Sequence, residues 1–142
     1  MSVTIVTGIW DIKRNELTVG WNRKFDHYLR NFEKLLKCED NMIVYIEEQY
    51  KSFVEERRSL DNTKIIVREV EWFKNNSVIF NRIQEIRTNP DWFNQVGWLS
   101  ESTQAKLEMY NPLVMSKMFL LNDAALLDPF NSSHLVWVIV KR

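Results

Sequence analysis

Short apolar runs that alternate with helical segments are the feature that most constrains the fold of this chain. The runs at 3–9, 42–46 and 64–68 are rich in β-branched residues and predict strands. Between them, apolar residues recur at helical spacing in segment 25–36 and again in the shorter segment 50–58. Strands and helices that alternate on this spacing indicate parallel strands with right-handed crossovers. The sequence therefore predicts an α/β fold, a Rossmann-like, mostly parallel open sheet flanked by helices.

The second half of the chain is less regular until its last two predicted elements. A helix is expected to begin near Asn111 and Pro112, a cap residue followed by proline, and to run to about Leu127. The apolar run at 135–140 then predicts a buried central strand. Because no repeat or linker-like change in composition interrupts the chain, residues 1–142 are expected to form a single domain.

The composition argues against several classes of function. Nineteen basic residues balance nineteen acidic ones, so no charge excess favours binding to nucleic acid. Cys38 is the only cysteine, which excludes a disulfide within the chain and a cysteine-rich metal site. The apolar start at 3–10 is too short to cross a bilayer and lacks a basic flank. We therefore expect a cytoplasmic protein without membrane insertion.

Motifs that would identify a catalytic site are missing from the sequence. The three glycines stand far apart, so no glycine-rich phosphate loop can form. His27 and His134 have no metal-ligand spacing with each other or with Cys38. No catalytic residue and no metal ligand can therefore be assigned from motifs alone.

The predicted strand ends supply the first candidate binding residues. In open α/β sheets, ligands bind beyond the carboxyl ends of the strands. The first strand ends near Thr7 and Gly8 and is followed by Asp11, while Glu47 follows the second strand. A ligand at this edge would meet the hydroxyl of Thr7, the backbone at Gly8 and the two carboxylates.

Two basic residues are the next candidates. Arg57, with Arg58 beside it, follows the second strand by one helix and could bind a phosphate or pair with a carboxylate. Spacing alone is also consistent with a solvated helix face at this position. Lys117 interrupts the apolar face of the last helix, where it would either reach solvent or pair with an anion such as a diphosphate.

Six segments follow one another in a characteristic order: Thr7-Gly8-Ile9-Trp10-Asp11-Ile12, Asp26-His27-Tyr28-Leu29-Arg30-Asn31-Phe32, Ile43-Val44-Tyr45, Glu55-Glu56-Arg57-Arg58, Trp98-Leu99-Ser100-Glu101-Ser102 and Tyr110-Asn111-Pro112-Leu113 with Lys117. In this order they resemble one known family, HtrL/YibB. The family comprises bacterial and viral proteins that resemble glycosyltransferases of the GT-A type. The resemblance covers nearly all 142 residues. It implies a nucleotide-sugar domain, with a UDP-sugar as the expected ligand.

The resemblance also implies roles for individual residues. Carried over to this chain, Thr7 and Asp11 would hold the nucleotide, Arg57 would help to fix it, and Lys117 would face the phosphates. A divalent cation, manganese or magnesium, is the cofactor that the family implies, bound by an aspartate after the last shared strand.

The chain departs from the family's pattern at that acidic segment. Trp137-Val138 matches the pattern, but Ile139-Val140-Lys141 stands where the acidic turn belongs. Oxygen ligands are what a hard cation requires, and isoleucine offers none. We therefore expect the N-terminal half of a GT-A-like domain, truncated before its metal-binding loop and weakly active or inactive alone. Whether it is an enzyme stays open.

Two other classes of function remain alternatives. A noncatalytic interaction protein would dimerise, or bind a partner, through its sheet edge and the tryptophan-rich region 92–98. A different small α/β enzyme would need turnover from Asp11, Glu47 and Arg57. Loss of activity in a folded Asp11→Ala variant would favour that second alternative.

Overall fold

The computed structural model describes residues 1–17 and 23–140 and contains strands and helices in alternation. The strands are β1 (Val3–Ile9), β2 (Asn41–Ile46), β3 (Thr63–Val67) and β4 (His134–Trp137). The helices are α1 (Phe25–Leu36), α2 (Lys51–Glu55), α3 (Val70–Asn76), α4 (Phe80–Arg87), α5 (Pro90–Phe93), α6 (Thr103–Lys106) and α7 (Tyr110–Leu127). Short 3-10 turns lie at Arg14–Glu16, Glu48–Tyr50 and Leu99–Glu101.

The chain divides into two compact units. Unit one consists of Met1–Trp10, Asp26–Glu69 and Lys117–Arg142. Unit two consists of Asp11–Phe25 and Val70–Ser116. Because each unit gathers separate segments of the sequence, the division does not correspond to two consecutive domains.

Unit one contains a four-stranded parallel sheet in the order β3-β2-β1-β4. The β1–β2 register pairs Thr4 with Asn41 and Ile9 with Ile46, and the β1–β4 register pairs Val6 with Trp137. The chain builds outward from β1 to β3 and then returns to place β4 on the other side of β1. This arrangement confirms the predicted Rossmann-like α/β fold.

The last strand differs from its prediction. The sequence predicted a buried central strand at 135–140, whereas β4 ends at Trp137 and lies at an edge of the sheet that the described residues form. Val136 is 46% exposed and Ile139 is 67% exposed. A run of β-branched residues indicates extended backbone, but it does not report how many neighbours the strand has. The prediction of a central position was therefore wrong.

The core of unit one lies on both faces of β2, whose residues from Met42 to Ile46 are almost completely buried. On one face, Phe32 of α1 stacks on Phe53 of α2 with ring centroids 6.3 Å apart. Right-handed crossovers place these two helices on the same side of the sheet. The other face is covered by α7, because the hydroxyl of Tyr45 donates a hydrogen bond to the carbonyl of Leu120 at 3.0 Å.

Unit two is mainly helical in its described part. Its buried apolar residues include Phe73, Ile83, Leu107, Met109 and Leu113. Side chains also bond to the backbone there, since Arg87 donates to the carbonyl of Ala105 at 2.9 Å and Gln84 to that of Glu108 at 2.9 Å.

Helix α7 begins at Tyr110, slightly before the predicted start near Asn111, and ends at Leu127 as expected. Pro112 falls in the first turn, where its missing N–H costs no helical hydrogen bond.

Among the described residues, no helix combines the length and the hydrophobicity needed to cross a membrane.

Candidate functional site

The carboxyl edge of the sheet in unit one brings the ends of β1 and β2 together. Gly8 pairs with Tyr45 and Ile9 with Ile46, so both strands end at the same level. On one side of β1 the sheet continues to β2 and β3, and on the other side stands β4. This reversal in strand order is a topological switch point, where open α/β sheets form their ligand crevices.

Thr7 lies at this switch point and is completely buried. Its hydroxyl donates a hydrogen bond to the carbonyl of Val138 at 2.8 Å. The amide of Val138 in turn donates to the carbonyl of Val6 at 2.9 Å. Thr7 therefore holds the segment that follows β4 against β1.

Gly8 is required by the packing of an indole ring. A Cβ atom at this position would lie 2.6 Å from Cη2 of Trp10 and 2.9 Å from the carbonyl oxygen of Tyr45. The indole is fixed by its Nε1, which donates to the carbonyl of Arg68 at 2.9 Å. The sequence predicted ligand contact with the backbone at Gly8, and the structure places the Trp10 side chain over the side that the glycine leaves open.

Glu47 follows β2 directly and is 6% exposed, which places a carboxylate at the carboxyl edge as predicted from the strand end. The next residue, Glu48, donates its backbone N–H to the carboxylate of Glu69 at 2.8 Å. This bond joins the segments that follow β2 and β3. A hydrogen bond therefore links the two chain segments next to Glu47.

Arg68 is a basic residue of this edge that the sequence reasoning missed. Its amide donates to the carbonyl of Ile46 at 2.9 Å, which extends the β2–β3 pairing by one residue. Its guanidinium carbon lies 6.0 Å from the ring centroid of Tyr45. The available signal was its position immediately after a strand, the same position that identified Glu47.

Tyr45 carries a buried hydroxyl beneath this edge. Burial raises the pKa of its hydroxyl, nearby Asp123 raises the pKa further, and Arg68 opposes both effects. Besides its hydrogen bond to Leu120, the ring stacks on Trp137 with centroids 6.4 Å apart. The indole Nε1 of Trp137 is buried and has no hydrogen-bond partner in the described part of the chain.

Lys117 lies on α7 and is half-buried. It precedes Leu120, the acceptor of the Tyr45 hydroxyl, by three residues, which is about 4.5 Å along a helix axis. The other end of α7 lies at the amino edge, because Ser132 just beyond it contacts Thr4 at 2.6 Å. The first residues of α7 in unit one, Lys117 among them, therefore lie toward the carboxyl edge.

Arg58 lies at the opposite, amino edge of the sheet, where it is buried. Its guanidinium donates to the hydroxyl of Thr63 at 2.7 Å and to the carbonyls of Leu36 at 3.1 Å, Asp40 at 2.7 Å and Cys38. These acceptors end α1 or begin β2 and β3. Burial lowers the pKa of Arg58. This arginine therefore links the end of α1 to the starts of β2 and β3 through hydrogen bonds.

Arg57 lies beside Arg58 and away from the other predicted site residues. Its guanidinium pairs with Glu33 at 3.0 Å and stacks over the ring of Phe53 at 3.7 Å from the centroid. A strand as long as β2 separates the two edges by roughly 17 Å, at about 3.3 Å per residue. The structure therefore does not bring Arg57 together with Thr7 and Glu47.

Asp11 belongs to unit two. Its carboxylate accepts a hydrogen bond from the backbone of Lys13 at 3.0 Å and pairs with the ammonium of the same residue at 3.4 Å. The side chain of Asp11 is thus engaged with its own loop.

The described residues do not fit the divalent cation that the family resemblance implies. No group of three or more His, Cys, Asp or Glu side chains within residues 1–17 and 23–140 could hold a metal ion. After β4, the described positions Val138, Ile139 and Val140 carry no side-chain oxygen. Lys141, the other residue in place of the acidic turn, lies outside the described residues.

Comparison with known proteins gives one family match. The model of a family described as "Bacterial protein of unknown function (HtrL_YibB)" matches residues 1–140. Neither the curated proteins nor the solved structures give a significant match.

Proposed function

This chain belongs to the HtrL_YibB family, and on that premise we propose that unit one binds a nucleotide-sugar at the carboxyl edge of its sheet. The observation that carries the proposal is the reversal of strand order between β1 and β4 in an all-parallel sheet. Parallel sheets with such a reversal bind nucleotides in the crevice outside it. The resemblance to GT-A glycosyltransferases adds the sugar, with UDP as the expected nucleotide.

Three charged residues fit the parts of such a ligand. A carboxylate directly after the second strand, the position of Glu47, is where Rossmann-type folds bind ribose hydroxyls. Arg68 and Lys117 supply positive charge at the same edge, and both residue types bind phosphates. In the proposal, Glu47 binds the ribose, and the two basic side chains neutralise the diphosphate.

The unsatisfied indole of Trp137 also supports a ligand near the switch point. Buried polar groups in folded proteins are nearly always hydrogen-bonded, so an unpaired Nε1 calls for an explanation. Trp137 ends β4 and pairs in register with Val6, two residues before Gly8. A ligand oxygen at the switch point would give this N–H an acceptor.

The proposal concerns binding and assigns no turnover. The described residues do not fit a resident cation, so no catalytic step is drawn through one. In the proposal, Thr7 shapes the switch point by holding Val138 through its hydroxyl. Gly8 shapes it by leaving space for the indole of Trp10. A cytoplasmic location is part of the same proposal, and its argument is the presence of a single cysteine.

Calorimetric titration of the purified chain with uridine, UMP, UDP and UDP-sugars tests the proposal. We expect saturable binding that strengthens from uridine to UDP, because each phosphate adds charge for the basic residues. Lys117→Ala and Arg68→Gln should each weaken UDP binding by about 10-fold or more, the effect of one charge-assisted hydrogen bond. The affinity for uridine should change little.

Matched controls come from the rest of unit one. Arg57→Gln removes an arginine from the amino edge, and Lys64→Ala removes an exposed lysine from β3. Both variants should bind UDP like the unmodified chain. The proposal fails if a folded chain shows no saturable binding at millimolar nucleotide. Titrations with and without manganese show whether a cation contributes.

A noncatalytic interaction protein remains the second candidate. The observation that favours it is the position of β4 at an edge of the described sheet, where its own residue Val136 is partly exposed. Such an edge can pair with a strand of another chain. A concentration-dependent mass that is lost in a Val136→Lys variant would support this function.

A further inference from the structure

Helix α7 carries two apolar stripes in unit one, and only one of them is covered. Leu120 and Ala124 are almost completely buried against the sheet. On the opposite side, Met118 is 80% exposed, Phe119 61% and Leu126 79%. At 100° per residue, these three side chains lie within about 60° of Asn122. They form, with Asn122 and Ala125, the surface named here the outer stripe.

The outer stripe is unusual for a helix at a protein surface. Surface helices place charged residues opposite their buried face, and a helix that is apolar all round is normally covered on all sides. The outer stripe contains no charged side chain, since its only polar member is Asn122. Methionine and phenylalanine exposed together are typical of surfaces that bind another protein.

We infer that the outer stripe is the contact surface of a homodimer in which two α7 helices pack antiparallel. The stripe is self-complementary about Asn122, because Met118 and Leu126 lie four residues before and after it. A two-fold axis beside Asn122 sets Met118 opposite the partner's Leu126. The same axis sets Phe119 opposite the partner's Ala125, a large residue against a small one. Such an isologous contact closes after two copies.

The net charge of the chain and the exposed area of the outer stripe are consistent with a second copy of the chain as the partner. The chain has zero formal net charge, so two copies meet without long-range repulsion. At about 150–200 Å² for a full side chain of this size, the three large residues expose roughly 400 Å² per copy. Two copies would bury at most roughly 800 Å² from these residues, below the roughly 1,000 Å² of a stable interface, so the inferred association is a weak one. The dimer should therefore dissociate on dilution.

Asn122 gives the contact its register. A single asparagine within an apolar helix interface selects the arrangement in which its amide meets another amide. In the antiparallel pair, the two Asn122 side chains face each other and can exchange hydrogen bonds. Sliding either helix by one turn would bury each amide against carbon and leave it unpaired, at a cost that disfavours other registers.

Sedimentation equilibrium of the full chain at several concentrations tests the dimer. The 17.1 kDa chain should shift toward twice that mass as its concentration rises. Leu126→Lys alone and Met118→Glu alone should each weaken association by at least 10-fold, because each places a charge against an apolar residue. The combined Met118→Glu and Leu126→Lys variant should recover the dimer, because the two new charges then face each other across the axis.

The matched control is Leu60→Lys, since Leu60 is another leucine of unit one and is 62% exposed outside the stripe. This variant should associate like the unmodified chain. As an independent measurement, Asn122→Cys in a Cys38→Ser background should form an intermolecular disulfide on mild oxidation, because disulfides require Cβ atoms about 4 Å apart.

Three outcomes would overturn the inference. The chain could stay monomeric at every concentration, or its dimer could survive Leu126→Lys and depend on Val136 of the sheet edge instead. The combined variant could also fail to recover association although circular dichroism shows it folded. The result does not depend on nucleotide binding, so the two proposals are tested separately.

Discussion

The two edges of the sheet in unit one carry similar charged residues and use them differently. At the amino edge, Arg58 is bonded entirely to the protein's own carbonyls and to Thr63. At the carboxyl edge, Glu47 follows β2 and Arg68 follows β3, while Lys117 lies toward the same edge on α7. An arginine's role in this fold therefore depends on whether it follows a strand or the helix after that strand.

Directionality explains this contrast. A residue immediately after a strand is at the carboxyl edge, whereas a residue after the following helix has been carried back to the amino edge. Arg68 is of the first kind and Arg57 of the second. Substitutions at the two edges should therefore differ in their effects on stability.

Arg58→Ala should be the most damaging change, with a loss of roughly 3–5 kcal/mol in the free energy of unfolding. The substitution removes one buried guanidinium and leaves three carbonyls and the hydroxyl of Thr63 without their donor. Urea denaturation followed by circular dichroism measures the loss. A change below about 1 kcal/mol would contradict the proposed role of Arg58 in stabilising the amino edge.

Gly8→Ala should cost roughly 1–3 kcal/mol and should also weaken nucleotide binding. The added methyl group would overlap the indole of Trp10 and the carbonyl of Tyr45, so the ring must move from its place at the switch point. Gly97→Ala is the matched control, since a Cβ there meets nothing within 4 Å. Thermal unfolding of both variants checks the prediction, and equal effects would argue against it.

Tyr45→Phe should cost about 1–2 kcal/mol at neutral pH, because the carbonyl of Leu120 loses its donor in a buried place. Tyr28→Phe is the control, since the buried hydroxyl of Tyr28 has no hydrogen-bond partner among the described residues. That variant should unfold like the unmodified chain or slightly later. A larger loss at Tyr28 than at Tyr45 would contradict the assignment.

The Tyr45 hydroxyl should also make stability depend on pH. Its pKa is raised above the ordinary value of 10.0, chiefly by burial. The folded chain therefore holds this proton more tightly than the unfolded chain, so the contribution is complete below pH 10 and declines as the pH rises toward the raised pKa. Denaturation between neutral pH and pH 11 should show a smaller difference between the unmodified chain and Tyr45→Phe at the alkaline end.

Arg57→Ala should have the smallest effect, below about 1 kcal/mol. Its pair with Glu33 is partly exposed, and its stacking on Phe53 adds a modest attraction. Urea denaturation at low and high salt measures the loss, and salt should weaken the partly exposed ion pair more than the close stacking contact. A loss as large as that of Arg58→Ala would remove the distinction between the two neighbouring arginines.

Much of the fold could be predicted from the sequence because periodicity reports local structure directly. The apolar runs predicted β1, β2 and β3 nearly to the residue, and helical spacing predicted α1 and the end of α7. The position of β4 could not be obtained in this way. Its neighbours depend on where the chain returns after the irregular region 70–108, and no local pattern encodes that return.

The candidate site was predictable where it depended on strand ends. Thr7, Gly8 and Glu47 lie at the carboxyl edge because parallel strands finish together. Arg57 was misplaced because it follows α2, the helix that carries the chain back to the amino edge. The indole over Gly8 depends on packing that no spacing rule describes. Arg68 was overlooked because its side chain was assigned to the strand itself.

The pairing of β1 with β4 has a consequence for the order of events during synthesis. Ser2 and Ser133, which bond to each other where these strands begin, are 131 residues apart in sequence. On the ribosome, β1 therefore emerges long before β4, and the edge of β1 that pairs with β4 stays uncovered throughout that interval. Closing so long a loop is slow compared with local pairing. The crevice at the switch point should thus be among the last features of the nascent chain to form, and a stalled chain that lacks β4 should have none.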